Sequence, residues 1–313
     1  MFNKVGAMTC CWNEEATIVF TIGSLLPHVD YYVVADTGST DKTVELIETI
    51  FADELNSGKL ILLKREKRDD WDISIPKNEI IDALHALNCD YFIRLDGDDV
   101  FYDAGALAAV KVARGMLDSI TMYTLNHWEL YQNRSHETIS WLYSIERDLC
   151  GEDYDRPRFW CMRMPPGANP TMSGHPHRFD GSYGHARIYR VKDALAVGKW
   201  TDEAWHRGPG EDICHPNDIR NCKGNHDESI VHYGWARPME KKLIKGGIWS
   251  GEDKASEDPR VNCMEKTWEN INQPNIDRYD YGMKYWPRSI IFPFTNHPEV
   301  FDRLLEPVIE IIR

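Results

Sequence analysis

The chain has 313 residues, 42% of them hydrophobic and 27% charged, with 36 basic against 50 acidic side chains. That is the make-up of a globular protein with material for one large domain or two small ones. The formal net charge of −14 disfavours a general nucleic-acid binder, because an acidic surface repels phosphate backbones.

No apolar run reaches the roughly 18 residues that a membrane-spanning helix needs. The opening stretch MFNKVGAMTCCWNEE shows neither a long apolar core nor a cleavage site, so no signal peptide is expected. Eight scattered cysteines in a chain of this length do not make a disulfide scaffold, and the expectation is reduced thiols in the cytoplasm.

The first hundred residues alternate cleanly between two periods. Val5 to Met8 reads as a short strand, and Asn13 is expected to cap a helix carrying Ile18, Ile22, Leu25 and Leu26. Tyr31 to Ala35 (YYVVA) has the fully apolar character of a buried parallel strand. Ser39 or Thr40 is expected to cap the next helix, with Asp41 in its first turn and Val44, Ile47, Ile50 and Phe51 as its apolar stripe. Leu60 to Leu63 is a third strand. Pro76 opens a third helix that ends at Leu87, and Tyr91 to Leu95 is a fourth strand. The order βαβαβαβ predicts an α/β fold, a mostly parallel sheet flanked by helices.

The rest of the chain is loop-rich, and nine of the eleven tryptophans fall after residue 120. Thr121 to Leu130 reads as a strand. Residues 148 to 180 are irregular, rich in Pro, Gly and Arg, and have the character of a functional loop. A last helix is predicted from His297 to Ile312, with Pro307 inside it.

Ligands of such sheets bind beyond the carboxyl ends of the strands. Three unusual segments lie there: TCCWNEE (residues 9 to 15), DTGSTD (36 to 41) and DGDD (96 to 99). The first has no glycine, so the G-x-G-x-x-G turn of a dinucleotide site is missing, and there is no P-loop. Three carboxylates in one turn repel one another unless a cation lies among them, and a divalent metal is the expected one; the third, Asp99, is alternatively a cap for the helix that follows.

Taken together, CWNEEATI (11 to 18), VVADTGSTDKTVELI (33 to 47), KNEIIDAL (77 to 84) and DYFIRLDGDD (90 to 99) resemble the family 2-like glycosyltransferases of the GT-A fold. The resemblance is good over roughly the first 105 residues and patchy beyond. It implies a Rossmann-like GT-A domain over 1–237, split into a nucleotide-sugar half (1–105) and an irregular acceptor half (106–237), with a C-terminal helical extension over 238–313 packed on it. It also implies that Cys11, Asn13, Glu14, Asp36, Lys77, Asn78, Asp96, Gly97 and Arg237 bind the donor. Asp98 is the implied direct metal ligand, with His232 in IVHYGWARPMEKK as a further one. Hard carboxylate oxygens suit Mn²⁺ or Mg²⁺.

The resemblance further places an acceptor-side element in GHARIYR (184 to 190) and WTDEAWH (200 to 206), where Glu203, then Asp202, is the candidate base. Glu211 and Asp212 compete with them. The implied reaction moves a sugar from a nucleotide sugar, expected to be a UDP-sugar, to a hydroxyl acceptor with inversion. The acceptor is a glycan or, alternatively, a hydroxymethylated nucleic-acid base. A nucleotidyltransferase would carry a glycine-rich, basic loop after the first strand, which this chain lacks. A non-catalytic binder would have little need for Asp96 and Asp98. Cys214, His215, Cys222 and His226 are spaced unlike any standard structural zinc site. No obligate protein partner is evident.

Overall fold

The computed structural model describes residues 2–66, 73–116, 122–132, 159–162, 178–179, 182–197, 204–206, 230–235, 289–291 and 298–312. The chain forms two compact units. The first takes residues 1–127, 184–230 and 296–313, and the second takes 128–183 and 231–295.

In the first unit four strands run parallel: β1 (Val5–Cys11), β2 (Tyr31–Asp36), β3 (Leu60–Lys64) and β4 (Tyr91–Asp96). Their spatial order is β3-β2-β1-β4. A short β5 (Asp99–Phe101) follows β4 after a two-residue turn. The chain therefore leaves β1 toward β2 and later returns to its other side, the reversal at which open α/β sheets form a binding crevice. Register puts Cys11 beside Asp36 and Cys10 beside Asp96, so the first two strands and β4 end level at one edge.

Strands β1, β2 and β4 are buried on both faces, as their apolar character predicts, while β3 at the edge is half-buried beyond Leu60. Helix α4 (Ser74–Ala86) covers one face, with Ile80, Ile81 and Leu84 packed among Met8, Val33, Ala35 and Phe92. Helices α1 (Ile18–Leu25) and α5 (Asp103–Gly115) also pack against β1. Between β2 and β3 lie α2 (Thr43–Ile50) and the short α3 (Ala52–Ser57).

Two expected caps are corrected. Helix α1 starts at Ile18 with Thr17 before it, five residues beyond Asn13. Asn13 instead has a left-handed backbone (φ 55°), a conformation asparagine tolerates better than most residues. Ser39 and Thr40 do not cap α2 either: Asp41 Oδ1 accepts the Thr43 N–H at 3.0 Å.

The last helix is α6 (Val300–Ile312), with Pro307 inside it. It starts three residues later than its apolar pattern predicts, and it buries Phe301 in addition to Val300, Leu305 and Val308. Phe301 stacks on Phe20 of α1, with ring centroids 4.1 Å apart. The two helices meet at Gly23, where a Cβ would collide with Leu304 and lie 3.0 Å from Val300. Lys42, at the start of α2, donates to the Ile311 carbonyl at 2.6 Å, and Arg303 pairs with Asp103 of α5. Helix α6 thus braces three helices of the sheet at once.

Beyond the parallel strands come β6 (Met122–Gln132), β7 (Phe159–Met162), β8 (Arg178–Phe179) and β9 (Ser182–Arg190). Then follow β10 (Leu195–Val197), β11 (Ala204–His206), β12 (Ile230–Trp235) and β13 (Ser289–Ile291). The part of β9 in the first unit pairs antiparallel with β4, Ile188 opposite Ile93. There too, β10 and β11 form a hairpin-like pair. In the second unit β7 pairs antiparallel with both β6 and β13. The strand expected at 121–130 is therefore present, slightly shifted. No helix among the described residues is long and apolar enough to cross a membrane.

The Gly23 contact yields a test. Gly23→Val over-packs the α1–α6 crossing and is expected to destabilise the protein by about 1–3 kcal/mol. A thermal melt unchanged from wild type would mean that α6 yields freely and is not a brace.

Candidate active site

Two motif loops are sewn to each other by hydrogen bonds. The Asn13 side-chain oxygen accepts the Thr40 N–H at 2.7 Å, and the Asn13 N–H donates to the Ser39 hydroxyl at 2.8 Å. The Glu14 N–H donates to Thr43 Oγ1 at 2.8 Å, and the Lys42 N–H donates to Glu15 Oε2 at 3.0 Å. The Cys11 carbonyl accepts both the Thr37 N–H and its hydroxyl, each at 3.0 Å. Asp36 is buried and turns its carboxylate onto its own loop. Its Oδ2 accepts the Gly38 and Ser39 N–H groups at 3.0 and 3.1 Å, and the Ser39 hydroxyl binds its Oδ1. Gly38 has φ 93°, which suits this tight turn.

The third motif is the turn from Asp96 to Asp99, linking β4 to β5. Gly97 lies so close to the first loop that a Cβ would sit 2.8 Å from Glu14 Cγ and 3.2 Å from Cys11 Cβ. Its carbonyl accepts the hydroxyls of Thr17 and Thr21 at 2.9 and 3.0 Å. Glycine is therefore required by close approach, and the turn is pinned to the start of α1.

Charge in this turn is balanced from inside the protein. Arg94, two residues before Asp96 and so on the same side of β4, donates to Asp96 Oδ1 at 2.7 Å. Arg187 of β9 donates to Asp96 Oδ2 at 3.1 Å and pairs with Asp99 Oδ2 at 2.8 Å. The Asp96 N–H donates to the same Asp99 oxygen at 2.9 Å. Asp99 is therefore no helix cap: it is fully buried and closes the turn. The repulsion among the three carboxylates is relieved in large part by guanidinium groups, which amends the expectation that a metal must do so.

The electrostatics follow. Burial alone would raise the Asp96 carboxyl, but Arg94, Arg187 and Lys77 outweigh it and hold it well below the usual carboxylate range. Lys77 on α4 is itself buried. Burial pushes the Cys10 thiol up to about 12 and the Cys11 thiol well above its usual value, so neither is a thiolate nucleophile at neutral pH. Asn78 faces Ala196: its amide donates to the Ala196 carbonyl at 3.0 Å and accepts the Ala196 N–H at 2.8 Å, tying α4 to β10.

The first unit thus brings Cys11, Asn13, Glu14, Asp36, Asp96, Gly97 and Asp98 into three adjoining loops, with Asp98 buried. His232 is half-buried on β12 in the second unit. Glu203, Asp202, Arg237, Glu211, Asp212 and the group Cys214, His215, Cys222 and His226 lie outside the described residues. Sequence reading assigned no role to Arg94, Arg187, Thr17 or Thr21. A signal existed for the first: an arginine in an otherwise apolar buried strand, two residues from an aspartate, needs an internal partner.

Residues 7–148 match the family model described as glycosyl transferase family 2. That span covers all three motif loops and nearly all of the parallel strands, so the first half of the chain is similar to a family 2 glycosyltransferase domain. No curated protein matches the chain. Among solved structures, glucosyl-3-phosphoglycerate synthase from Mycobacterium tuberculosis, in complex with phosphoglyceric acid, is 16% identical with a TM-score of 0.30. That likeness covers 61% of this chain and 57% of the other, so the chain spans little more than half of that relative. A mannosyltransferase from Pyrobaculum calidifontis, with GDP-Man and Mn²⁺, is 13% identical with a TM-score of 0.38, covering 86% and 72% of the two chains. GalNAc-T7 with UDP, GalNAc and Mn²⁺ is 11% identical with a TM-score of 0.37, covering 87% and 55%.

The Asp96 environment gives a pH prediction. A carboxyl held below its unfolded value of about 3.9 binds fewer protons folded than unfolded. Its contribution to stability is therefore full above that value and is lost as pH falls through the folded pKa. Asp96→Asn is expected to melt below wild type at pH 7, with the gap narrowing as pH drops from about 4. A gap that stays constant down to pH 2.5 would deny Asp96 its ion pairs.

Proposed function

We propose that the protein is a metal-dependent glycosyltransferase that moves a sugar from a nucleotide sugar, a UDP-sugar in the first instance, to a hydroxyl acceptor with inversion. The observation that carries this reading is the convergence of the NEE, DTGSTD and DGDD loops at one carboxyl edge of the sheet, stitched together and holding buried Asp98. The family match over the same residues supports it. In this reading the transferase domain extends to residue 237.

Asn13, Glu14 and Asp36, with Cys11 of the adjoining strand, form the nucleoside side of the donor site. In this reading Asp96 and Gly97 bind the ribose, and Lys77, Asn78 and Arg237 serve the rest of the donor. Asp98 ligates the metal together with His232. Support comes from the donor chemistry: Asp98 is a buried carboxylate in the turn after β4, and the histidine proposed beside it would add an imidazole. Such ligands fit Mn²⁺ or Mg²⁺. When bound, the metal supplies charge neutralisation to the departing diphosphate.

Glu203, or Asp202 beside it, takes the proton from the acceptor hydroxyl as that oxygen attacks the anomeric carbon. The bond from that carbon to the diphosphate oxygen breaks, and the nucleoside diphosphate leaves with its electron pair. Cys10, Cys11 and Cys89 are free thiols, which supports a reducing compartment such as the cytoplasm.

The test combines melting and product release. UDP-, GDP- and dTDP-sugars are added with Mn²⁺, Mg²⁺ or EDTA to wild type and to Asp98→Ala. A donor at a hundredfold excess over its dissociation constant stabilises the fold by about 2.7 kcal/mol. One sugar nucleotide is expected to raise Tm by at least about 5 °C and to release its nucleoside diphosphate slowly. EDTA and Asp98→Ala are expected to abolish both effects. No metal-dependent stabilisation by any donor would refute the proposal.

A further inference from the structure

We propose that Arg187 is a positioning residue for the Asp96–Asp99 turn, fixing the backbone that carries Asp98 for metal binding; the proposal rests on the cation reading above. Arg187 lies on β9, and continuing the β4–β9 register places it opposite Arg94. Two like charges facing one another across a strand pair repel, so each needs a carboxylate. Asp96 serves both, one oxygen to each guanidinium.

Arg187 also spans the turn. Its Nη1 holds Asp96 while its Nη2 holds Asp99, so one rigid fork grips both ends of the turn that contains Asp98. The Asp99 oxygen it holds also accepts the Asp96 N–H, which closes the turn at the same point. The Arg187 side chain is 1% exposed and Asp99 fully buried. Water cannot replace the Arg187–Asp99 contact.

A buried ion pair is a poor device for stability alone, since apolar residues of similar volume commonly serve as well. The fold already has Thr17 and Thr21 on the Gly97 carbonyl. What the bridge adds is a fixed separation of Asp96 from Asp99. Lysine keeps the charge but lacks the fork, so it cannot span two carboxylates in fixed geometry.

The experiment measures Mn²⁺ affinity, with Mn²⁺ alone as the probe, on wild type, Asp98→Ala, Arg187→Lys and the double variant Arg187→Met with Asp99→Asn. Circular dichroism and Tm are recorded in parallel. The double variant removes the buried pair together, so no unpaired charge is left to unfold the chain. Wild type is expected to bind Mn²⁺ and Asp98→Ala to lose it. Arg187→Lys and the double variant are expected to fold and to bind roughly tenfold more weakly or worse, the usual loss when a group supporting a metal ligand is removed.

A merely structural Arg187 would lower Tm and leave the affinity of the folded protein unchanged, and that result overturns the proposal. So does loss of fold in both Arg187 variants, which would assign the residue to folding alone. Equal Mn²⁺ behaviour of wild type and Asp98→Ala would instead bring down the cation reading and the Arg187 proposal with it.

Discussion

The chain Arg94–Asp96–Arg187–Asp99, buried at every member but Asp96, is the constraint on which the site depends. Removing one partner of its fully buried Arg187–Asp99 pair leaves a desolvated charge, at a typical cost of about 3–5 kcal/mol. That is a large part of the margin by which a domain is folded at all. The four residues come from β4, its turn and β9, so the same contacts fix an antiparallel strand to the edge of the parallel sheet. Sheet topology and site electrostatics are therefore one problem here, solved by one set of side chains.

The charge count shows how an acidic turn survives without collapsing. Asp96, Asp98 and Asp99 contribute −3 and the two arginines +2, which leaves −1, and buried Lys77 acts on Asp96 as well. The clustering of aspartates is thus no proof of a cation by itself. The argument for a metal rests on the ligand types and on the family match, and the arginines make the arrangement tolerable whether or not a cation is bound.

Much of this was legible in the chain. The alternation of YYVVA, LILL and YFIRL with amphipathic stretches set out the parallel sheet, and the loops at their carboxyl ends marked the site. The errors were local and share a cause. Asn13 has the chemistry of a helix cap, but the Thr40 N–H captures its side-chain oxygen and its backbone goes left-handed. Asp99 looked like a cap for α5, but Arg187, 88 residues further on, holds it inside. Short-range rules predict a polar side chain's role only until a distant partner outbids the near one. Neither Arg187's reach nor the burial of Phe301 against Phe20 leaves a trace in local periodicity.

The loops also explain one another. Thr17, just before the first helix, and Thr21 within it hold Gly97 of the third motif, and Asn13 and Glu14 before that helix hold Thr40 and Thr43 beside the second. Helix α1 and its leading loop thus form a shared beam between two motifs that are separated by about sixty residues. Gly97 admits the beam because it has no side chain, and Gly23 admits α6 against the beam's far side for the same reason. A shift of α1 along its axis would therefore be felt at both motifs together. This is how a helix at the far end of the chain comes to bear on the loops of its first hundred residues: α6 stacks Phe301 on Phe20, and Lys42 ties its last carbonyls to the second motif. Rigid support of this kind suits a site whose chemistry depends on holding charged groups at fixed separations, because electrostatic stabilisation is strongest where the dipoles need not reorganise.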